Sequence, residues 1–209
     1  MYGLLVACGI LLSVLLAEQL AKNKKLERAL IWRVAFRGIL FGVVGARIYH
    51  VVDYWDLYSQ NLNSTLFIWN GGLGIIGGIM GGLLGIYSVS PKKYFLTILD
   101  IAATVMPLGQ AIGRWGNYFN GELIPYAIYE SLADILIFGF LFLRIRSDKY
   151  KTGEIFSMYL ILYSLVRLGL DRFHNAQWFV DNFNITQIIA ILTLIAFSIN
   201  LWRIKKQKS

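Results

Sequence analysis

Four polar side chains crowd into residues 114–122 of an otherwise apolar chain: Arg114, Asn117, Asn120 and Glu122, within Gly-Arg-Trp-Gly-Asn-Tyr-Phe-Asn-Gly-Glu-Leu at 113–123. A guanidinium meets a phosphate with two parallel hydrogen bonds. Asparagine can orient an ester or phosphate oxygen, and glutamate can take a proton or fix the arginine. Gly113, Gly116 and Gly121 permit tight turns and close backbone approach. A polar helix end rarely needs all of these together, so the block reads as functional. A second group, Tyr163, Arg167 and Asp171, falls at i, i+4 and i+8 on one helical face. An Arg–Asp pair alone could clamp two helices; the tyrosine adds a donor for an anionic group. A third pair, Glu130 and Asp134, lies one turn apart and would repel without an arginine between helices. Arg47 is the first candidate for that partner and Arg114 the second. The two carboxylates read mainly as orienters of arginines.

Other chemistries are excluded early. A single cysteine, Cys8, allows neither an internal disulfide framework nor a cysteine-based zinc cluster, and two histidines, His50 and His174, are too few for a His-rich metal site. No cysteine- or histidine-based metal site is expected. Apolar sequence runs on well past Cys8, so Leu5-Val6-Ala7-Cys8 reads as part of a packed span rather than a lipid-attachment signal.

The elements that carry these residues follow from composition. Hydrophobic residues make up 57% of the 209 and charged residues 15%, against roughly 25% in ordinary globular domains. Mean hydropathy is +0.58. Such a chain could not cover its surface with polar groups in water, and it is too apolar for disorder. An α-helical span needs about 20 apolar residues. Seven candidates fit, at roughly 2–21, 30–53, 71–89, 95–113, 126–144, 154–172 and 184–202. The expected fold is all-α: a polytopic membrane protein of seven transmembrane helices forming one domain over 1–209, with a short external aromatic segment near 54–70. Seven spans put fifteen of the twenty Lys and Arg residues on the C-terminal side. By the positive-inside rule the N-terminus then faces out and the C-terminus the cytoplasm. The net charge of +8 is mostly explained by this topology, which leaves nucleic-acid binding without support. In the third span, Gly74, Gly78 and Gly82 form one helical row and Gly77, Gly81 and Gly85 another, a pattern for close helix packing that is compatible with a lipid tail nearby. Arginines, tyrosines and paired asparagines thus converge on the outer half of a bundle, as a site for an anionic lipid headgroup entering from the bilayer.

At 113–123 the sequence closely resembles the signature of the prolipoprotein diacylglyceryl transferase family. The likeness continues in order through Tyr2-Gly3-Leu4, Gly45-Ala46-Arg47, Trp69-Asn70-Gly71-Gly72-Leu73, Asp100, Pro107, Gly109-Gln110, Tyr129-Glu130, Tyr163, Arg167 and Thr186-Gln187. The resemblance implies transfer of a diacylglyceryl group from phosphatidylglycerol to the lipobox cysteine of a prolipoprotein signal peptide. A thioether forms and glycerol phosphate leaves, in the bacterial inner membrane and without a cofactor. Arg114, Asn117, Glu122, Tyr163 and Arg167 are then expected to be catalytic. Tyr2, Arg47, Asn120, Gly121, Glu130 and Asp171 are expected to bind substrate. The departures are specific. Ile76 stands where the family often has a histidine, Ile124 replaces a histidine before Pro125, and Asp171 and His174 replace a Glu and an Arg. Glu122 and Asp171, then His174, become the candidate proton acceptors. A non-catalytic binder or carrier of anionic lipid from the same family is the alternative.

Overall fold

Within hydrocarbon every backbone N–H and C=O must be satisfied inside its own segment, which leaves long apolar runs the helix as their form. In a computed structural model of the chain, residues 1–147, 149–170, 179–180 and 183–206 are described. They form α1 (Tyr2–Asn23), α2 (Arg28–Asp53), the short α3 (Trp55–Ser59), α4 (Ile75–Val89), α5 (Phe95–Phe119), α6 (Tyr126–Arg146), α7 (Glu154–Leu170) and α8 (Ile185–Lys206). Single 3₁₀ turns cover Leu62–Leu66, Ile68–Asn70 and Lys92–Tyr94, and a two-residue antiparallel ladder pairs Phe179–Val180 with Phe183–Asn184. The protein is therefore helical, as its composition demands. Five helices, α1, α2, α5, α6 and α8, are long and apolar enough to cross a membrane. The other two elements at expected spans are shorter: α4 has 15 residues and α7 has 17. The third candidate span loses its beginning because Gly71 and Gly72 take φ of +85° and +75°, outside the helical region, and the helix starts only at Ile75.

The chain divides into two compact units. In Ala21–Phe95, α2 and α4 meet backbone against backbone. A methyl group added at Gly45 would run into the carbonyl of Gly77, one at Gly81 into that of Phe41, and one at Gly85 into that of Arg37. Only glycine allows such proximity. The buried row is Gly77, Gly81 and Gly85; Gly78 and Gly82 keep ordinary contact distances. The Gly74 amide also donates to the Ala46 carbonyl at 2.9 Å.

The other unit, Met1–Leu20 with Leu96–Ser209, holds most of the polar residues singled out above. Here α1 lies against α5 at Gly9 and Gly109, and the buried Ser13 hydroxyl donates to the Val105 carbonyl at 3.1 Å. Asp100, fully buried on α5, caps the start of α7. Its oxygens accept the amides of Gly153 at 2.7 Å and Phe156 at 2.8 Å, donors that a helix N-terminus leaves unpaired. Beside it, Arg144 pairs with Glu154 at 2.7 Å. Asn200 of α8 donates to Ser157 of α7 at 2.9 Å. These contacts fix one end of α5, α6, α7 and α8. The candidate site lies at the other end.

Candidate active site

The C-terminal part of α5, one turn before its end, places the site's first arginine. Arg114 is half-buried, and its Nε forms an ion pair with Glu130 of α6, whose side chain is almost fully buried. Its Nη1 donates to Asn117 Oδ1 at 3.4 Å. Asn117 Nδ2 donates in turn to Glu122 Oε2 at 3.1 Å, and Asn120 Nδ2 to Glu122 Oε1 at 3.5 Å. One chain of contacts thus joins all four polar residues of the 113–123 block. The fold of the loop makes this possible. Gly121 takes φ +72°, which ends α5, and the Glu122 amide returns to the Asn117 carbonyl at 2.8 Å. Leu123 follows at φ +55°, a left-handed backbone that a branched side chain adopts at a cost of about 1–2 kcal/mol. Gly116 faces the ring of Tyr2, and an added Cβ would lie 2.5 Å from Tyr2 Cδ2. Gly113 has open space where a side chain would project.

The second arginine comes from α7. Arg167 Nη1 donates to the Tyr126 hydroxyl oxygen at 2.7 Å. The Tyr126 ring is fully buried, with the Arg114 guanidinium 5.6 Å and the Arg167 guanidinium 5.8 Å from its centre. Tyr163 lies within electrostatic reach of Arg114, Arg167 and Glu130, its ring 6.0 Å from that of Tyr159. Tyr159 donates to Gln110 at 3.1 Å. One turn beyond Glu130, Asp134 is fully buried, and neither of its oxygens has a hydrogen-bond partner among the described residues.

Of the expected residues, the structure brings together Arg114, Asn117, Asn120, Gly121, Glu122, Glu130, Tyr163 and Arg167, with Tyr2 against the same stretch of α5. Of the two arginines considered for Glu130, Arg114 takes it. Arg47 belongs to the other unit, where it is buried and spends its donors on carbonyls. Nε bonds Thr65 at 2.8 Å, Nη1 bonds Gly71 at 2.7 Å and Gly72 at 2.9 Å, and Nη2 bonds Ser64 at 2.7 Å and Phe67 at 3.4 Å. Those five bonds match the five N–H groups of a guanidinium and organise the loop before α4. Asp171 and His174 lie outside the described residues. Sequence reasoning missed Tyr126, although the signal was there. Tyr126, Glu130 and Asp134 stand at i, i+4 and i+8, the spacing that drew attention to Tyr163, Arg167 and Asp171.

Two guanidinium groups beside one buried ring at one end of a helical unit, in a chain with five membrane-length helices, define a helical membrane protein with a candidate site for an anion. The comparisons make this specific. The family model described as prolipoprotein diacylglyceryl transferase matches residues 1–124 and 123–203. The chain is 35% identical to the phosphatidylglycerol–prolipoprotein diacylglyceryl transferase of Finegoldia magna, covering 99% of this chain and 91% of the relative. It is 34% identical to the enzyme of that name in Clostridioides difficile, over 100% and 92% of the two chains. With that of Fervidobacterium nodosum the identity is 35%, over 92% and 77%. The chain belongs to the prolipoprotein diacylglyceryl transferase family.

Proposed function

We propose that the chain performs the reaction its relatives are named for, moving the diacylglyceryl group of phosphatidylglycerol to the cysteine thiol of a prolipoprotein lipobox. The sulfur attacks the glycerol carbon that carries the phosphate and the C–O bond breaks. Glycerol phosphate leaves with the bonding pair, and the thiol proton passes to a base. The observation that carries this reading is the convergence of Arg114 and Arg167 on Tyr126. Negative charge grows on the departing phosphate, and fixed cations aimed at it lower the barrier. A thiol must lose its proton to become a strong nucleophile. Glu122 is exposed and held by Asn117 and Asn120, so it can meet an incoming thiol and serves as the proton acceptor. Asn117 and Asn120 hold glycerol and ester oxygens, Tyr163 steadies the arginine pair, and Tyr2 and Gly121 border the entry. Glu130 orients Arg114, and Arg47 shapes the loop before α4. Asp171, four residues after Arg167 in the sequence, is assigned to substrate binding.

The enzyme sits in the bacterial inner membrane with seven spans, the N-terminus outside and the C-terminus in the cytoplasm. The test is transfer of labelled diacylglycerol from phosphatidylglycerol to a lipobox peptide by purified protein in liposomes. Transfer with release of glycerol phosphate is expected. Binding of phosphatidylglycerol without transfer would overturn the reading in favour of a lipid carrier. Arg114→Ala is expected to remove most of the activity, and wild-type turnover in that variant would refute its role.

A further inference from the structure

Two like charges do not gather at one place unaided, and something must set their separation. Both arginines here are anchored on α6. Glu130 holds Arg114 by its Nε, and Tyr126 holds Arg167 by its Nη1. Tyr126 and Glu130 are four residues apart, hence neighbours on one helix face, with Cβ atoms about 5–6 Å from each other. Both anchors are buried, so neither can swing away with solvent. The Tyr126 ring also presents itself to both guanidinium groups, and the negative face of an aromatic ring attracts cations. We propose that Tyr126 is a positioning residue for the transfer reaction: with Glu130 it forms a rack on one face of α6 that holds Arg114 and Arg167 around one buried ring, ready to meet a phosphate group. Tyr126 does not touch the reacting atoms; it acts through Arg167. The phosphate part of this inference rests on the transfer reading given above.

The experiment uses the full chain. Transfer from phosphatidylglycerol vesicles to a lipobox peptide is measured for wild type, Tyr126→Phe, Arg167→Lys and the double variant. Tyr126→Phe keeps the ring and loses the acceptor. It is expected to lower kcat about tenfold with a smaller change in KM, because the charge that the rack serves is largest in the transition state. The double variant is expected to be no worse than about twofold below Arg167→Lys alone, since both substitutions disturb one arginine. Multiplicative losses would overturn the proposal, as would unchanged kcat in Tyr126→Phe. A second arm does not depend on turnover. Glycerol phosphate binding to the solubilised protein is measured by calorimetry and is expected to weaken severalfold in Tyr126→Phe. Equal affinity in the two proteins would also overturn the rack. If wild type binds but transfers nothing, while Tyr126→Phe still weakens binding, the transfer reading fails and the rack stands. Should Tyr126→Phe not fold, Tyr126→His, which retains a ring and an acceptor, replaces it with the same expectations reduced in size.

Discussion

At the scale of single residues, the proposed mechanism separates charge from proton transfer. Arg114 faces two ways, toward buried Glu130 and toward Asn117, whose amide nitrogen reaches Glu122. Glu130 is closed in among helices, whereas Glu122 is open. The two carboxylates therefore predict different losses. Glu122→Gln removes the proposed proton acceptor and should cut kcat by roughly 10²–10⁴-fold, the usual contribution of a general base, with part regained in Glu122→Asp. A loss of only severalfold in steady-state transfer would make Glu122 merely a support for Asn117 and Asn120. Asp134 poses the opposite case. A buried carboxyl without a hydrogen-bond partner does not favour folding, and apolar replacements at such positions are often neutral or stabilising. Asp134→Leu should leave the melting temperature in detergent unchanged or raise it. A clear fall would reveal a stabilising partner for the carboxyl.

Helices position these groups through two devices, one of backbone and one of side chain. Between α2 and α4, contact runs through glycines whose missing Cβ leaves room for a neighbouring carbonyl. Gly81→Ala should destabilise the protein by about 1–3 kcal/mol, the usual cost of overpacking. Gly139→Ala on α6, where no atom lies within 4 Å of an added Cβ, should be neutral or gain up to ~1 kcal/mol from helix propensity. Thermal unfolding of the pair in one detergent checks both, and equal melting temperatures would remove the close-packing argument. Asp100 is the side-chain device. Its replacement by alanine strands the buried amide of Gly153 just before α7 and the part-buried amide of Phe156 in its first turn, with an expected cost of about 2–4 kcal/mol.

These elements also mark what could be read from residue order. The glycine rows were legible because their period is that of a helix, and the 113–123 block because its polar residues are near neighbours in the chain. Glu130 was recognised as an orienter, but its choice between Arg47 and Arg114 depends on which helices pack together, and periodicity carries no such information. Asp100 is legible in the sequence as a match to the family pattern and as a charge inside an apolar run, the kind usually kept for function. Its work as a cap for α7 rests on contacts 53 and 56 residues away. Tyr126 escaped notice because a tyrosine at a helix start resembles an interfacial anchor until a partner helix brings Arg167 to its hydroxyl.

The whole molecule turns on how its two short helices are counted. At 1.5 Å per residue, the 15 residues of α4 rise about 22 Å and the 17 of α7 about 25 Å, less than the ~30 Å of a hydrocarbon core. If neither crossed, five spans from an outside N-terminus would put Lys92, Lys93, Arg144, Arg146, Lys149 and Lys151 outside. If both cross, those six residues join the basic cytoplasmic side with Lys22, Lys24, Lys25 and the C-terminal Arg203, Lys205 and Lys206. Each basic residue moved outward opposes the positive-inside bias, and local thinning or adjoining non-helical chain accommodates a short span at modest cost. Seven spans are therefore expected. Cysteine labelling decides between the counts. With Cys8 replaced by serine, Asn61→Cys should react with a membrane-impermeant maleimide in intact cells under either topology. Lys149→Cys should react only after the membrane is opened if α4 and α7 cross. Labelling of Lys149→Cys in intact cells would show that α4 does not cross and would rule out seven spans. It would also put the 113–123 block on the cytoplasmic side, where the proposed outward-facing entry for a prolipoprotein could not operate.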